Sequence, residues 1–451
     1  MKNFKHLLLG LLTISLASCA NGGSAGKDYM GAEDGGWGGY AADAGYGTPG
    51  EGGYTNKGGS AGTAVEDKEG DLGEGEEPGE TEEPEIESRP TIAAGQLTCS
   101  ALNDNLFYDY WKEITSDNTN DQQGKGPFYQ YRNEFDKSQL DNCFVTYNRV
   151  KLTINNANDI YVTLKDEKKT FHVDNFHNAY LFPKEVQEEY EVTISYLDKD
   201  GKRKEVDKIV KDNDEIDLEN EYTTPNNLEI MFVIDATGSM GDEMEYIKSE
   251  IDDVIGKVKE DNPETKVSLA MMVYRDVGDD YVTRYSDFST NITSQQSFLK
   301  KQKASGGGDF PEAVDQALNE AVSKQWSSKG TKLLFLVADA PAHDEKIANW
   351  SKAATKAAEE GIQIMTVAAS GIDKKTEFLF RSQSLLTGGE YIFLTDDSGI
   401  GESHEKPTIK EKLIVEYLND CLIRIIDSYH QGKTISPTPY SQVGQQQIAD
   451  D

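Results

Sequence analysis

The stretch Leu228–Met240, LEIMFVIDATGSM, constrains this chain more than any other. Ile230, Met231, Phe232, Val233 and Ile234 form an unbroken apolar, largely β-branched run, the pattern of a strand buried on both faces of a parallel sheet. The run stops at Asp235, and Asp235, Thr237 and Ser239 then follow at alternate positions before a helical pattern begins. A carboxylate and two hydroxyls spaced by two in a strand-to-helix turn can face one point beyond the carboxyl edge of the sheet. Hard oxygen donors gathered there suit a magnesium-like cation. The same residues also allow a plainer arrangement, with Thr237 or Ser239 capping the helix and Asp235 accepting backbone amides.

The residues that follow supply the rest of an α/β unit. Met244, Ile247, Ile251, Val254 and Val258 keep helical spacing; strands are expected over Lys266–Tyr274, Tyr281–Tyr285, Lys332–Ala338, Ile362–Ala368 and Tyr391–Leu394. Helices are expected over Phe310–Trp326, Ala348–Glu360, Lys374–Leu386 and Ile409–Tyr429. Strands alternating with helices imply a doubly wound, mainly parallel sheet over residues 226–432, with binding at the carboxyl ends of the strands where their order reverses. Further acids reach that edge: Asp339 ends one buried strand in ADAPAH, Asp276 ends another in VYRD, and Asp309 follows three glycines in SGGGDFPE. Asp276 reads as a supporting group paired with Arg275 or Arg284. His343 faces the rim or caps a helix, and Asp396 and Asp397 fall in a Gly- and Ser-rich connection that is either a binding rim or a simple turn.

These motifs together, DATGSM, YRD, GGGDFPEAV and DAPAH, resemble the von Willebrand factor type A domain, in the subgroup shared by hemicentin-like and bacterial surface proteins. The resemblance covers about 205 residues. It implies a metal-ion-dependent adhesion site in which Thr237 and Ser239 bind Mg²⁺ directly and Asp235 and Asp339 bind it directly or through water, with Mn²⁺ or Ca²⁺ as alternatives. It also implies a partner whose Asp or Glu completes the octahedron. The family's usual threonine before the third helix is absent, and Gly308-Asp309-Phe310 stands there. Asp309 is either a replacement ligand or not a ligand; as a third carboxylate it would leave a divalent site net negative and weaken attraction for an acidic partner.

Between residues 96 and 222 an aromatic-rich stretch gives way to alternating runs (Val150, Leu152, Ile154; Ile160, Val162, Leu164; Tyr190, Val192, Ile194, Tyr196) and a hairpin-like Asp198-Lys199-Asp200-Gly201. This predicts a small antiparallel β-sandwich, similar to immunoglobulin-like or carboxypeptidase-regulatory-like modules, preceding the α/β domain. His172 and His177 read as loop or surface histidines.

The amino end is expected to be removed or unfolded. Lys2, Lys5 and His6 followed by an apolar Leu7–Leu16 form a secretory signal over residues 1–18, too short to span a bilayer. Leu16-Ala17-Ser18-Cys19 resembles a lipoprotein lipobox, which implies cleavage before Cys19 and acylation of its sulfur. Residues 19–95 hold about half of the chain's 41 glycines and then a run of acids. Such a segment cannot offset its chain entropy by burial. As a tether it reaches roughly 50 Å. Residues 433–451 are expected to be a disordered tail. A formal charge of −35 excludes nucleic acid and an anionic membrane face as partners. In an exported chain Cys99 and Cys143 could be joined, and Cys421, among Leu418, Leu422 and Ile425, reads as a buried apolar residue.

The expectation is therefore a lipid-anchored protein of the cell envelope, surface-exposed and on a bacterial outer membrane, which binds a protein or glycan ligand through a divalent metal and is not an enzyme. A metal-dependent hydrolase and a scaffold with a purely structural metal are the alternatives. Against the hydrolase, Asp235-x-Thr237 lacks a second nucleophilic aspartate, and neither a phosphate-binding loop nor a serine nucleophile elbow occurs.

Overall fold

The first strand of the chain is built into the same sheet as the last. The computed structural model describes residues 92–117, 125–138 and 145–441. The signal segment, Cys19, the tether, Cys143 and residues 442–451 lie outside them. β1 (Thr98–Leu102) is followed by two short helices, α1 (Tyr108–Thr115) and α2 (Tyr129–Ser138). The aromatic residues of this stretch have no period because they do not form one face. They converge instead on Phe378: Trp111 stacks on it at 5.8 Å, and Phe128, Tyr131 and Phe135 surround it at 5.8, 6.3 and 5.9 Å.

The alternating runs form two small sheets packed face to face. β2 (Val150–Asn155), β5 (Asn178–Leu181) and β8 (Glu215–Asp217) make one; β3 (Asn158–Leu164), β4 (Lys169–His172), β6 (Tyr190–Leu197) and β7 (Arg203–Val210) make the other. Their inward positions, such as Leu152, Ile154, Val162, Val192 and Ile194, are buried while their neighbours are partly exposed, which is the period-two pattern in space. The turn after β6 closes with the Gly201 amide on the Asp198 carbonyl at 2.8 Å.

The α/β part follows: β9 (Asn227–Asp235), α3 (Met244–Asp261), β10 (Lys266–Tyr274), β11 (Thr283–Ser289), α4 (Ile292–Lys300), α5 (Val314–Val322), β12 (Thr331–Ala338), α6 (Ile347–Glu360), β13 (Ile362–Ala368), α7 (Lys374–Thr387), β14 (Tyr391–Leu394), β15 (Glu416–Tyr417) and α8 (Leu418–Gln431). The sheet order is β11-β10-β9-β12-β13-β14-β1-β15. β10, β9, β12, β13 and β14 are parallel, flanked by antiparallel β11 and β1. Successive residues of β9 enter opposite cores. Met231 and Val233 pack in the one that holds α5, α6 and α7, while Ile230, Phe232 and Ile234 pack in the one that holds α3 and α8.

Three expectations change. The expected boundary between the modules places residues 96–222 together, but β1 pairs with β14 through Cys99–Leu102, so the sandwich is an insertion into the α/β unit after its first strand. The buried Glu250 carboxylate of α3 holds the incoming segment, accepting the amides of Gly95, Gln96 and Leu97 at 2.7, 2.9 and 3.0 Å. The expected closing helix from Ile409 begins only at Leu418, because residues 416–417 are taken up in pairing with β1. The expected disordered tail is ordered as far as residue 441, where the Tyr440 amide donates to the Val415 carbonyl and the Thr438 amide to Glu416.

The sandwich packs at the amino ends of the parallel strands. Asn175 donates to Thr331 Oγ1 at 2.9 Å and to the Tyr429 carbonyl at 2.8 Å, and His172 lies against Gly361. That leaves the carboxyl ends of β9, β10 and β12 uncovered by it.

Candidate metal centre

β9 has neighbours on both sides, with β10 reached first and β12 later, so its carboxyl end is the point where strand order reverses. Asp235 stands there with no exposed surface. Its Oδ1 accepts the Thr237 amide at 2.8 Å and the Thr237 hydroxyl at 2.7 Å, and the Thr237 and Ser239 hydroxyls lie 3.2 Å apart. Neither the 3₁₀ turn at Gly238–Asp242 nor α3 receives a side-chain cap. Of the plainer arrangement only the Asp235–amide contact is present, which leaves both hydroxyls facing the carboxylates. Asp339, at the end of β12 and 4% exposed, lies beside the Ser239 hydroxyl. Asp235, Thr237, Ser239 and Asp339 are thus brought together.

The third acid of the cluster is Glu312 rather than Asp309. Asp309 is exposed and contributes only a field at His343. Glu312 is 3% exposed and faces Asp235, Asp276 and Asp339. Its amide donates to the Pro341 carbonyl at 3.0 Å, and Glu312 bridges to Ala342, so the loop after β12 sets its position. The glycine loop wraps around it. Gly307 has φ +73°, and a Cβ there would lie 2.7 Å from Glu312 Oε1 and 3.3 Å from Thr237 Cβ, so a side chain would be forced into the site. The loop is fixed by the Gly238 amide on the Gly306 carbonyl, the Ser305 amide on the Ala236 carbonyl, and the Gly307 amide on Asp279 Oδ2. The run from Gly306 to Glu312 is legible in sequence, but nothing local shows that Asp309 ends exposed and Glu312 buried.

The electrostatics of this arrangement are unfavourable as it stands. Burial raises the Asp235 carboxyl to about 6. Burial and the Asp235 charge raise Asp339 to about 7, and burial together with Asp235, Asp276 and Asp339 raises Glu312 to about 9. Asp235 Oδ2, Glu312 Oε2 and Asp339 Oδ1 are buried and make no well-formed hydrogen bond, with the buried Tyr274 hydroxyl beside the Asp235 carboxylate. Buried polar atoms are nearly always partnered, and a cation between Asp235 and Asp339 would give these carboxylates the partner they lack. Among the described residues no three His, Cys, Asp or Glu side chains form a ready-made cage. The donor set that fits is therefore mixed, with the hydroxyls of Thr237 and Ser239 beside the carboxylates.

The other expected rim residues lie around this centre. Asp276 pairs with His343, whose Nε2 is 3.1 Å from Oδ1, and this contact raises the His343 pKa. The arginines offered as its partners are engaged elsewhere: Arg275 donates to the Ala236 and Lys303 carbonyls, and Arg284 lies over the Tyr281 ring. Asp396 accepts from the His404 amide and faces its Nδ1, both at 2.9 Å, while His404 Nε2 is 2.8 Å from buried Glu243. Asp397 accepts from the Tyr440 hydroxyl at 3.2 Å. These two aspartates hold the connection after β14 and do not join the Asp235 cluster.

Part of the chain is similar to known proteins. Residues 229–396 match the von Willebrand factor A domain. The alpha-protein kinase vwkA of Dictyostelium discoideum is 26% identical over 205 residues, 45% of this chain and 33% of that protein. The putative ariadne-like RING finger protein R811 of Acanthamoeba polyphaga mimivirus is 25% identical over 185 residues, 37% of this chain and 18% of that protein. The chain thus spans a third or less of the length of these relatives. Among solved structures, the conserved hypothetical protein BatB from Bacteroides thetaiotaomicron covers 49% of this chain and 96% of its own at 15% identity, with a TM-score of 0.26. The pilus adhesin SpaC from Lactobacillus rhamnosus GG, in its open conformation, covers 55% and 33% at 11% identity and a TM-score of 0.32. The residues that match the von Willebrand factor A domain, 229–396, carry the Asp235 cluster at the carboxyl edge of their sheet.

Proposed function

We propose that this is a lipid-anchored binding protein of the cell envelope whose von Willebrand factor A domain holds a divalent cation, Mg²⁺ by the chemistry of its oxygen donors, and uses it to bind a protein or glycan. Domains of this family commonly mediate protein interactions. The observation that carries the metal is the convergence of the Thr237 and Ser239 hydroxyls with the buried carboxylates of Asp235 and Asp339. Thr237 and Ser239 would supply neutral donors, and a hard, small cation takes such oxygens in preference to softer metals. When bound, the cation supplies an open coordination position to a ligand oxygen; the residues orient it and exclude water.

Glu312 bears on the partner. Two carboxylates balance a divalent ion, and an ionised Glu312 leaves the centre net negative. This favours a neutral ligand oxygen, a sugar hydroxyl or a peptide carbonyl, over the acidic side chain that the family resemblance implies. The anchor at Cys19 and the Gly-rich tether would carry the domain away from the membrane.

The test is capture of glycans and envelope proteins by the full chain with Mg²⁺ and with EDTA, beside Asp235→Ala. Loss of capture under chelation and in the variant is expected. Full capture in EDTA would sink the metal-dependent reading. Metabolic labelling with a fatty acid, lost in Cys19→Ala, tests the anchor separately.

A further inference from the structure

Two buried thiols outside the metal centre meet at the seam where the first strand joins the last helix. Cys99 lies in β1 and Cys421 in the first turn of α8, both with no exposed surface. The topology makes them neighbours. Cys99 pairs with Glu416 across β1 and β15, and the Leu418 amide at the start of α8 donates to the Leu97 carbonyl at 2.9 Å. The first turn of α8 therefore runs over β1, which brings the Cys99 and Cys421 thiols to neighbouring positions in one core. Apolar Leu97, Leu418, Leu422 and Ile425 pack in the same core. On the other side Arg424 forks onto Glu416 and donates to Cys421 Sγ at 3.5 Å.

We propose that Cys99 and Cys421 form a disulfide that staples β1 to α8. The sequence suggested Cys143 as the partner of Cys99; the structure turns Cys99 toward α8 instead, and Cys143 lies outside the described residues. Formation releases two protons and two electrons. A disulfide-bearing oxidant accepts them: a thiolate attacks one of its sulfurs, the mixed disulfide is displaced by the second cysteine, and the oxidant leaves as two thiols. Burial raises the Cys99 thiol well above its ordinary value, and neither thiol has exposed surface through which an oxidant could reach it in the folded protein. The bond therefore forms before α8 closes over β1. Its consequence is mechanical as well as thermodynamic. The chain before residue 98 enters the fold through β1, and the staple ties that entry strand to the helix behind it.

The presence of an oxidant in the cell rests on the export reading given under Proposed function, and the test separates the two. The full chain is refolded from the reduced state in a buffer of oxidised and reduced glutathione, free thiols are alkylated, and digested peptides are mapped by mass without reduction. A Cys99–Cys421 cross-linked peptide is expected, unchanged in Cys143→Ser, and reduction is expected to lower the melting temperature by about 5–10 °C. Alkylated Cys99 and Cys421 after oxidative refolding, or a Cys99–Cys143 peptide, would overturn the pairing. A bond formed in the refolded chain but absent from protein taken from cells contradicts the export reading and leaves the pairing standing.

Discussion

The Thr237 hydroxyl donates to Asp235 Oδ1 at 2.7 Å, and buried Asp235 Oδ2 makes no well-formed hydrogen bond. The donated proton turns the lone pairs of Thr237 away from Asp235, and Oδ2 remains for a cation. Replacing Thr237 with Val removes a ligand and the bond that orients Asp235. Mg²⁺ affinity is expected to fall by about 10- to 100-fold or more, with Thr237→Ser recovering most of it. Isothermal titration of both variants measures this, and equal affinities in the two would remove Thr237 from the ligand set.

Without a cation, stability should fall as pH rises. Asp235, Asp339 and Glu312 have folded values of about 6, 7 and 9, above their unfolded ones, so the folded state binds more protons between about pH 4 and 9 and loses stability across that window. His404, raised by Glu243 and Asp396, His343, raised by Asp276, and Asp174, raised to about 7 by burial, add losses of the same sign as pH rises through their folded values, so His404→Gln, His343→Gln and Asp174→Asn are the controls that separate them. Saturating Mg²⁺ should flatten the carboxylate part by replacing the protons. Thermal melts from about pH 5 to pH 9, with and without Mg²⁺, check the sign; a cation-free melting temperature that climbs over this range would contradict it.

Glu312→Gln removes the most strongly raised carboxyl while keeping its shape. The cation-free variant should be more stable than the parent at high pH by about 1–3 kcal/mol, the scale of one unsatisfied buried polar group, yet bind Mg²⁺ more weakly. Denaturant unfolding supplies the first quantity and calorimetry the second. A variant less stable than the parent without cation would mean that Glu312 is held by contacts other than the charge cluster.

A buried ion triad ties the chain after β1 to α7. Arg381 donates through Nε and Nη2 to Asp104 at 2.9 and 2.6 Å, and through Nη1 to Glu377 at 2.9 Å and to the Thr408 carbonyl at 2.7 Å. Arg381→Met leaves Asp104 buried without its cation, while Glu377 keeps Lys374 at 2.8 Å and the Thr408 amide at 2.6 Å, and a loss of about 3–5 kcal/mol is expected in denaturant unfolding. A loss below about 1 kcal/mol would show that water reaches the vacated site.

The parallel sheet was legible because each of its central strands is buried on both faces and so reads as an apolar run; LEIMFVID, KVSLAMMVY and TKLLFLVA need no partner to be recognised. β1 was not, since TCSAL is five residues with no clear period and its partners lie about three hundred residues away in sequence. The sandwich strands with one wet face were found where alternation is strict, as in β2, β3 and β6, and missed in β7, where Val206, Ile209 and Val210 do not alternate with the polar residues. At the site, Asp235, Thr237, Ser239 and Asp339 follow from strand ends. Choosing Glu312 over Asp309 needed the bridge to Ala342, a contact between loops that no local pattern encodes.

The most direct measurement is calorimetric titration of Mg²⁺ into the full chain near neutral pH, repeated in two buffers of different ionisation heat. One saturable site with proton release is expected, abolished in Asp235→Ala and in Asp339→Ala. Absence of heat and of proton release in the parent chain, or binding that survives both substitutions, would contradict a cation held between Asp235 and Asp339.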